Sequence, residues 1–242
     1  MIMGTSPILS SSGISNRVSM GDFTKLGFCP SVKNMNETRE FRFEAGQHMV
    51  VLGRTGSGKT YWIRETLIPT WRRAIVVDTE QMDYERLPAV SLRSALRYAK
   101  GDKAFHIRVL ARGDHSEADL AMIDDLCNGL LEVGHDVLVV FDEATDFSDA
   151  HRIPESLRGL VRKARKRNIS TVMGTQRPAM LSKDAYTQAS HLVIFFLSDY
   201  DTDAIKEYAP WVKEHISQIP YGSYRFLYQG PDGTVTVLQS AK

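Results

Sequence analysis

Short apolar runs, each bounded by charges or turn-forming residues, recur along this chain at 49–52, 74–77, 137–141, 169–173 and 190–196. Uninterrupted runs of that length suit strands buried on both faces, as in a parallel sheet. Residues 105–110 read as a further short strand, and 41–43 alternate Phe-Arg-Phe like a strand. Between these runs the apolar spacing turns helical, over 61–67, over 92–99, and over a stretch whose stripe is Leu120, Ile123, Leu126, Leu130 and Leu131. Ser116, three residues before Asp119, approximates a capping box at the start of that stretch. Pro154 suits a helix start, and Leu157, Leu160, Val161 and Ala164 give the next helix its buried face. A short helix over 201–208 follows, then a hairpin pairing 224–228 with 234–238 around Pro231-Asp232-Gly233. Strands alternating with helices predict an α/β fold, a mainly parallel sheet flanked by helices with a C-terminal β-hairpin. Residues 1–22, rich in Ser, Gly and Asn without periodicity, predict a flexible N-terminal arm, leaving 23–242 as one domain.

At 242 residues the chain can bury a full core, and its longest apolar runs fall far short of a membrane span. Two cysteines, Cys29 and Cys127, are too few and too distant for a disulfide framework or a zinc site, and the seven histidines show no ligand spacing. The start lacks the order of a signal peptide, so a reduced, cytosolic protein is expected. A formal charge of +1 argues against a surface coated in nucleic acid, while permitting a localised basic patch. Arg93, Arg97, Lys100 and Lys103 form one such stretch, which reads either as a solvated face or as a phosphate-contacting one.

The chemistry starts at GRTGSGKT, Gly53 to Thr60, which satisfies G-x-x-x-x-G-K-[ST] between a strand and a helix. Its glycines allow the backbone of Gly53, Arg54, Thr55, Gly56, Ser57 and Gly58 to wrap around phosphate oxygens, with N–H groups converging at a helix start. Lys59 then reaches the β- and γ-phosphates of ATP, and Thr60 offers a hydroxyl to Mg²⁺. The 137–141 strand ends in Asp142-Glu143. An apolar strand ending this way fits a Walker B acid, Asp142, holding Mg²⁺, followed by Glu143 as the group that polarises the attacking water. Asp78 ends another strand, and it either caps the next turn or approaches the ligand crevice. The 169–173 strand runs on into Gly174-Thr175-Gln176-Arg177-Pro178, where Gln176 can hydrogen-bond phosphate and water together.

The ordered set GRTGSGKT, VLVVFDEA and VRKARKRNISTVMGTQRP resembles the ATPase core of the FtsK-HerA superfamily of DNA-pumping motors. Lys163-Ala164-Arg165 and Thr175-Gln176-Arg177-Pro178 carry the specific part of that resemblance, which covers roughly residues 40–200. It implies a RecA-like, additional-strand P-loop sheet in which the Gln176 strand lies between the phosphate-loop strand and the Walker B strand. It further implies hexameric rings on double-stranded DNA, with an arginine finger reaching the neighbouring subunit's site. Motif alignment makes Arg165 that finger, with Arg162 and Arg167 as alternatives.

The reading expects no winged helix after the core and no membrane anchor before it. Such a nearly bare motor looks most like the genome-packaging ATPases of tailless, membrane-containing icosahedral viruses. That implies host-cytoplasmic residence, association with a packaging vertex, and capsid or membrane-vertex proteins as partners. A cellular HerA-like helicase or translocase in DNA-end processing, and a non-motor NTP-dependent switch, are the alternatives.

Overall fold

The computed structural model describes residues 41–148 and 153–240; the expected arm at 1–22 and Cys29 lie outside them. Eight strands form one sheet: β1 (His48–Leu52), β2 (Arg73–Asp78), β3 (Phe105–Leu110), β4 (Leu138–Phe141), β5 (Ser170–Thr175), β6 (His191–Ile194), β7 (Arg225–Gln229) and β8 (Val235–Gln239). Their order is β3-β2-β4-β5-β1-β6-β7-β8. The first six run parallel, and β7 and β8 close one side as an antiparallel hairpin. β5 therefore lies between β1 and β4, with Val50 opposite Met173 and Val140 opposite Val172.

β1, β2, β4, β5 and β6 are buried on both faces, so alternate side chains feed two cores, whereas the edge strand β3 alternates buried with half-buried or exposed residues. Val50, Ile75, Val77, Val139, Phe141 and Met173 pack with the helices of one layer, α2 (Leu92–Lys100), α3 (Glu117–Val133), α4 (Glu155–Lys163) and α5 (Lys183–Gln188). Met49, Val51, Val76, Val140 and Val193 pack on the other face around Trp62 and Trp71. That second core includes the helix after the phosphate loop, α1 (Lys59–Trp62), which widens into a π-helical turn at Ile63–Leu67.

Several local expectations are corrected. Phe41 and Phe43 are buried, but apart from one isolated bridge residue this stretch forms no strand. Their rings serve instead as individual plugs, Phe41 edge-on to Trp62 and Phe43 edge-on to Trp71. Ser116 does cap α3, accepting from the Asp119 amide, but the Asp119 carboxylate turns outward to the amides of Arg112 and Gly113 rather than completing a box. Leu120 and Leu131 are only half-buried; Cys127 takes a fully buried place in the stripe. The short helix α6 runs Asp199–Ala204, earlier than 201–208, because Ser198 caps it through the Asp201 amide. The basic helix α4 tightens into a 3-10 turn at Ala164–Arg167 that ends on Asn168 in the left-handed region.

Candidate nucleotide site

β1 ends at Leu52, and the loop that follows is suspended from its neighbours: Gly53 N–H donates to Thr175 O and Arg54 N–H to Phe196 O. Within the loop Ser57 N–H donates to Arg54 O. Among the described residues no acceptor engages the N–H groups of Gly56, Gly58, Lys59 and Thr60. Ser57 Oγ is buried and also lacks a partner among them. Ser57 and Lys59 are buried, Gly58 and Thr60 half-buried and Gly56 exposed, and a run of free donors converging at a helix start fits an anionic occupant such as a triphosphate. Gly58 has φ of 102°, and a Cβ there would stand 2.7 Å from the Tyr224 ring, so only glycine suits this position.

The structure brings the strand-tip residues onto the loop. Lys59 Nζ donates to Asp142 Oδ1 at 2.5 Å and to Asp142 O at 2.8 Å, with the lysine side chain 4% exposed. The other carboxylate oxygen, Oδ2, accepts from the Tyr84 hydroxyl at 3.0 Å. β5 approaches just as closely: a Cβ on Gly174 would crowd Asp142 O, so a side chain here would push Asp142 out of place. Glu143 is docked on the tip of β5, accepting from Thr175 Oγ1 at 2.6 Å, from Thr145 Oγ1 at 2.5 Å and from the Gln176 amide at 3.1 Å. Gln176 turns its side chain to the phosphate loop, where Thr55 Oγ1 donates to Gln176 Oε1. Lys59, Thr60, Asp142, Glu143 and Gln176 thus line one pocket of about 310 Å³, continuous with the loop.

Beside it, a cleft of about 490 Å³ is walled by Arg54, Gly56, Thr60, Tyr61, Asp83 and Tyr224, a size suited to a small ligand. Burial, then the charge of Asp142, raises the Asp83 carboxyl above the usual range. Burial pushes the Tyr84 phenol well above its ordinary value, again reinforced by Asp142, so this hydroxyl acts as a donor. The donor set for a metal here is Thr60 and Asp142, and no group of three or more His, Cys, Asp or Glu among the described residues forms a cage. One carboxylate and one hydroxyl, completed by phosphate oxygens and water, is a fitting set for Mg²⁺.

Arg165 is not brought into this pocket. It belongs to the turn before β5, at the opposite end of the strand from Gln176, and its backbone packs on Gly46 just before β1. Arg162 is tied to Asp184 at 2.5 Å, beside Arg158 at 2.8 Å. Arg165, Lys166 and Arg167 are exposed without an ion pair among the described residues. Asp78 does both things expected of it: its Oδ1 accepts from the Gln81 amide at 2.8 Å and its Oδ2 from Arg108 at 2.8 Å, and it also lines the 310 Å³ pocket. Sequence reasoning missed Tyr84, Asp83, Thr145 and Tyr224. A tyrosine in the polar turn TEQMDYER carries no signal of a partner 58 positions away.

Comparison with solved structures places this geometry among known proteins. The genome-packaging NTPase B204 from Sulfolobus turreted icosahedral virus 2, in complex with ATPγS, superposes with a TM-score of 0.67 at 19% identity, over 81% of this chain and 98% of that one. This chain has the P-loop NTPase fold of B204. The conjugation coupling protein TcpA of pCW3, with ATPγS, superposes with a TM-score of 0.59 at 14% identity over 88% of this chain and 69% of that one. The cytoplasmic domain of the Thermomonospora curvata type VII secretion ATPase EccC gives 0.54 at 14% identity over 90% and 26%. In sequence, Protein P9 of Pseudoalteromonas phage PM2 is 26% identical over 144 residues, 59% of this chain. That match spans 65% of the phage protein's length. No protein-family model matches the chain. The likeness read from GRTGSGKT, the Asp142-Glu143 tip and the Gln176 strand therefore extends to the three-dimensional fold.

Proposed function

We propose that this protein is an Mg²⁺-dependent ATPase that drives double-stranded DNA, as a homo-oligomeric ring, into a preformed viral capsid. The observation that carries the reading is the convergence of Lys59, Asp142, Glu143 and Gln176 on one phosphate loop, in a fold shared with a viral genome-packaging NTPase. In this scheme the Lys59 ammonium exchanges Asp142 for the β- and γ-phosphates. Thr60 and the released Asp142 would hold Mg²⁺, which would supply charge neutralisation at the phosphates. Glu143, already oriented by three donors, polarises the attacking water, and Gln176 binds the terminal phosphate.

Arg165 completes the site from a neighbouring subunit. The support lies within one protomer: a cation at the far end of β5 is too distant to serve its own loop, and it is exposed with no carboxylate partner among the described residues. Glu143 and Gln176 also face a wider cleft of about 960 Å³ whose lining includes Glu80, Asp124, Asp146 and Glu155, an acidic approach for an incoming guanidinium. A six-membered ring, residence in the host cytoplasm and docking at a packaging vertex belong to the same proposal. No helix among the described residues is long and apolar enough to cross a membrane.

The test is ATP hydrolysis with and without duplex DNA. Turnover should rise with any duplex sequence, and DNA binding should weaken steeply between 50 and 200 mM salt, on the order of a hundredfold or more, because the contacts are to phosphates. A salt-insensitive, sequence-specific footprint, or hydrolysis indifferent to DNA, would reduce the protein to a nucleotide switch.

A further inference from the structure

Tyr84 stands out because it is large, fully buried and directed at a charged group. Its ring belongs to the core around Trp62 and is 1% exposed, while its hydroxyl lies 3.0 Å from Asp142 Oδ2. The turn that delivers it is braced from three elements. Asp78 on β2 accepts the Gln81 amide; Arg108 on β3 pairs with Asp78 and donates to Gln81 O at 2.7 Å; Arg64 in the π-helical turn after α1 donates to Asp83 O at 2.6 Å. Gln81 adopts a φ of 61°, a left-handed conformation that this bracing sustains. The chain thus uses a buried ion pair, a constrained backbone and an arginine contact to hold one hydroxyl against the Walker B carboxylate.

We infer that Tyr84 is a positioning residue for Asp142, holding Oδ2 so that the carboxylate presents a single free oxygen, Oδ1, to the metal once Lys59 leaves it. This rests on the nucleotide-site reading above. A carboxylate offers two equivalent oxygens and rotates freely about its last torsion; fixing one of them removes that freedom before the metal arrives. In the arrangement seen, Lys59 and Tyr84 occupy one oxygen each. They differ in what phosphate does to them: Lys59 has a reason to move, and the braced, neutral Tyr84 has none. A tyrosine that merely fills the core, its hydroxyl satisfied by the nearest acceptor, would give the same contact but no dependence of metal binding on that hydroxyl.

The full-length chain carrying Tyr84→Phe separates these two cases, since the substitution keeps the ring and removes one oxygen. The quantity to measure is the affinity for a fluorescent, non-hydrolysable ATP analogue in excess Mg²⁺ and in EDTA. Affinity in EDTA should stay within about twofold of the parent, while the gain conferred by Mg²⁺ should shrink about tenfold, the scale at which partners of metal ligands act. In an Asp142→Asn background the same substitution should change the Mg²⁺ gain no further, because the group it positions is gone. An undiminished gain overturns the inference, as does a decrease that persists beside Asp142→Asn, or a parallel loss of binding in EDTA. If the parent protein binds no nucleotide with or without Mg²⁺, the site reading itself falls and this inference falls with it.

Discussion

The two ends of the parallel strands share a sheet but not a chemistry. At the C-terminal ends of β1, β4 and β5 the central charges are held within the protomer, Lys59 pairing with Asp142 and Glu143 held by Thr145, Thr175 and the Gln176 amide, while Arg54 and Arg177 line the flanking clefts without an ion pair among the described residues. At the N-terminal ends, Arg165, Lys166 and Arg167 project without ion pairs among the described residues, above the buried His48 and His191. Parallel strands force this asymmetry, because every strand enters at one edge and delivers its loop at the other. β5 embodies it, carrying the cationic turn before its start and Gln176 just past its end, with roughly 20 Å from Ser170 to Gln176 at about 3.3 Å per residue. In the ring proposed above, the C-terminal edge of one subunit would receive Arg165 from the N-terminal edge of the next.

The sharpest way to break that comparison is to remove the cation. Arg165→Ala should leave ATP affinity unchanged and lower turnover by about a thousandfold, the effect of losing a finger on the transferring phosphoryl group. Mixing it with Lys59→Ala should restore partial activity, since some interfaces in hybrid rings pair an intact loop with an intact finger. If co-assembled rings stay inactive, or Arg165→Ala alone is active, the two edges do not cooperate through this residue. Arg167 is then the better candidate, because Arg162 is engaged with Asp184.

Cutting the site edge instead should cost less. Glu143→Gln keeps the shape of the side chain and one acceptor oxygen for the Thr145 and Thr175 hydroxyls but removes its charge, so ATP should bind as before while turnover falls on the order of a hundredfold. Steady-state hydrolysis set beside equilibrium binding reads both quantities. Full turnover in this variant would assign the water-activating role elsewhere.

What the sequence made legible follows from how locally each feature is encoded. The buried strands are written as apolar runs, and the phosphate loop as fixed glycines between a strand and a helix, so β1, β4 and β5 and the residues at their tips emerge from short windows. The position of β5 between β1 and β4 came only from the family resemblance, because strand order is not a local property. Phe41 and Phe43 misled because alternation describes a strand, whereas these rings are placed by Trp62 and Trp71, reached through folding. Tyr84 was silent for the same reason: its role is set by Asp142, which the sheet brings to it from another strand. Asp78 was legible as a strand-tip acid near the crevice, and both of its oxygens are engaged there, by a turn amide and by Arg108.

The smallest effect distinguishes the edges by acid. His48 and His191 begin or precede the ladder at the N-terminal side, where His48 meets Thr171 Oγ1 at 2.8 Å and His191 meets Tyr228 Oη at 2.9 Å. Burial lowers both to about 4, helped at His48 by the nearby Arg165 charge. The unfolded chain, whose histidines titrate near 6.5, binds more protons between these values, so stability is complete above about pH 6.5 and is lost as pH falls toward 4. Each histidine should cost roughly 2 kcal/mol between pH 7 and pH 5, by proton linkage. At the site edge the sign reverses, since burial raises Asp83 and Asp146, and groups that hold protons more tightly when folded gain stability as pH falls. Denaturant unfolding at the two pH values therefore needs a variant to isolate the N-terminal edge. His48→Gln should reduce the parent's loss by roughly 2 kcal/mol, its own share of the linkage, whatever the carboxylates contribute. An identical pH dependence in parent and variant would mean that His48 is protonated in the folded state, and the N-terminal edge would then be wetter than its burial implies.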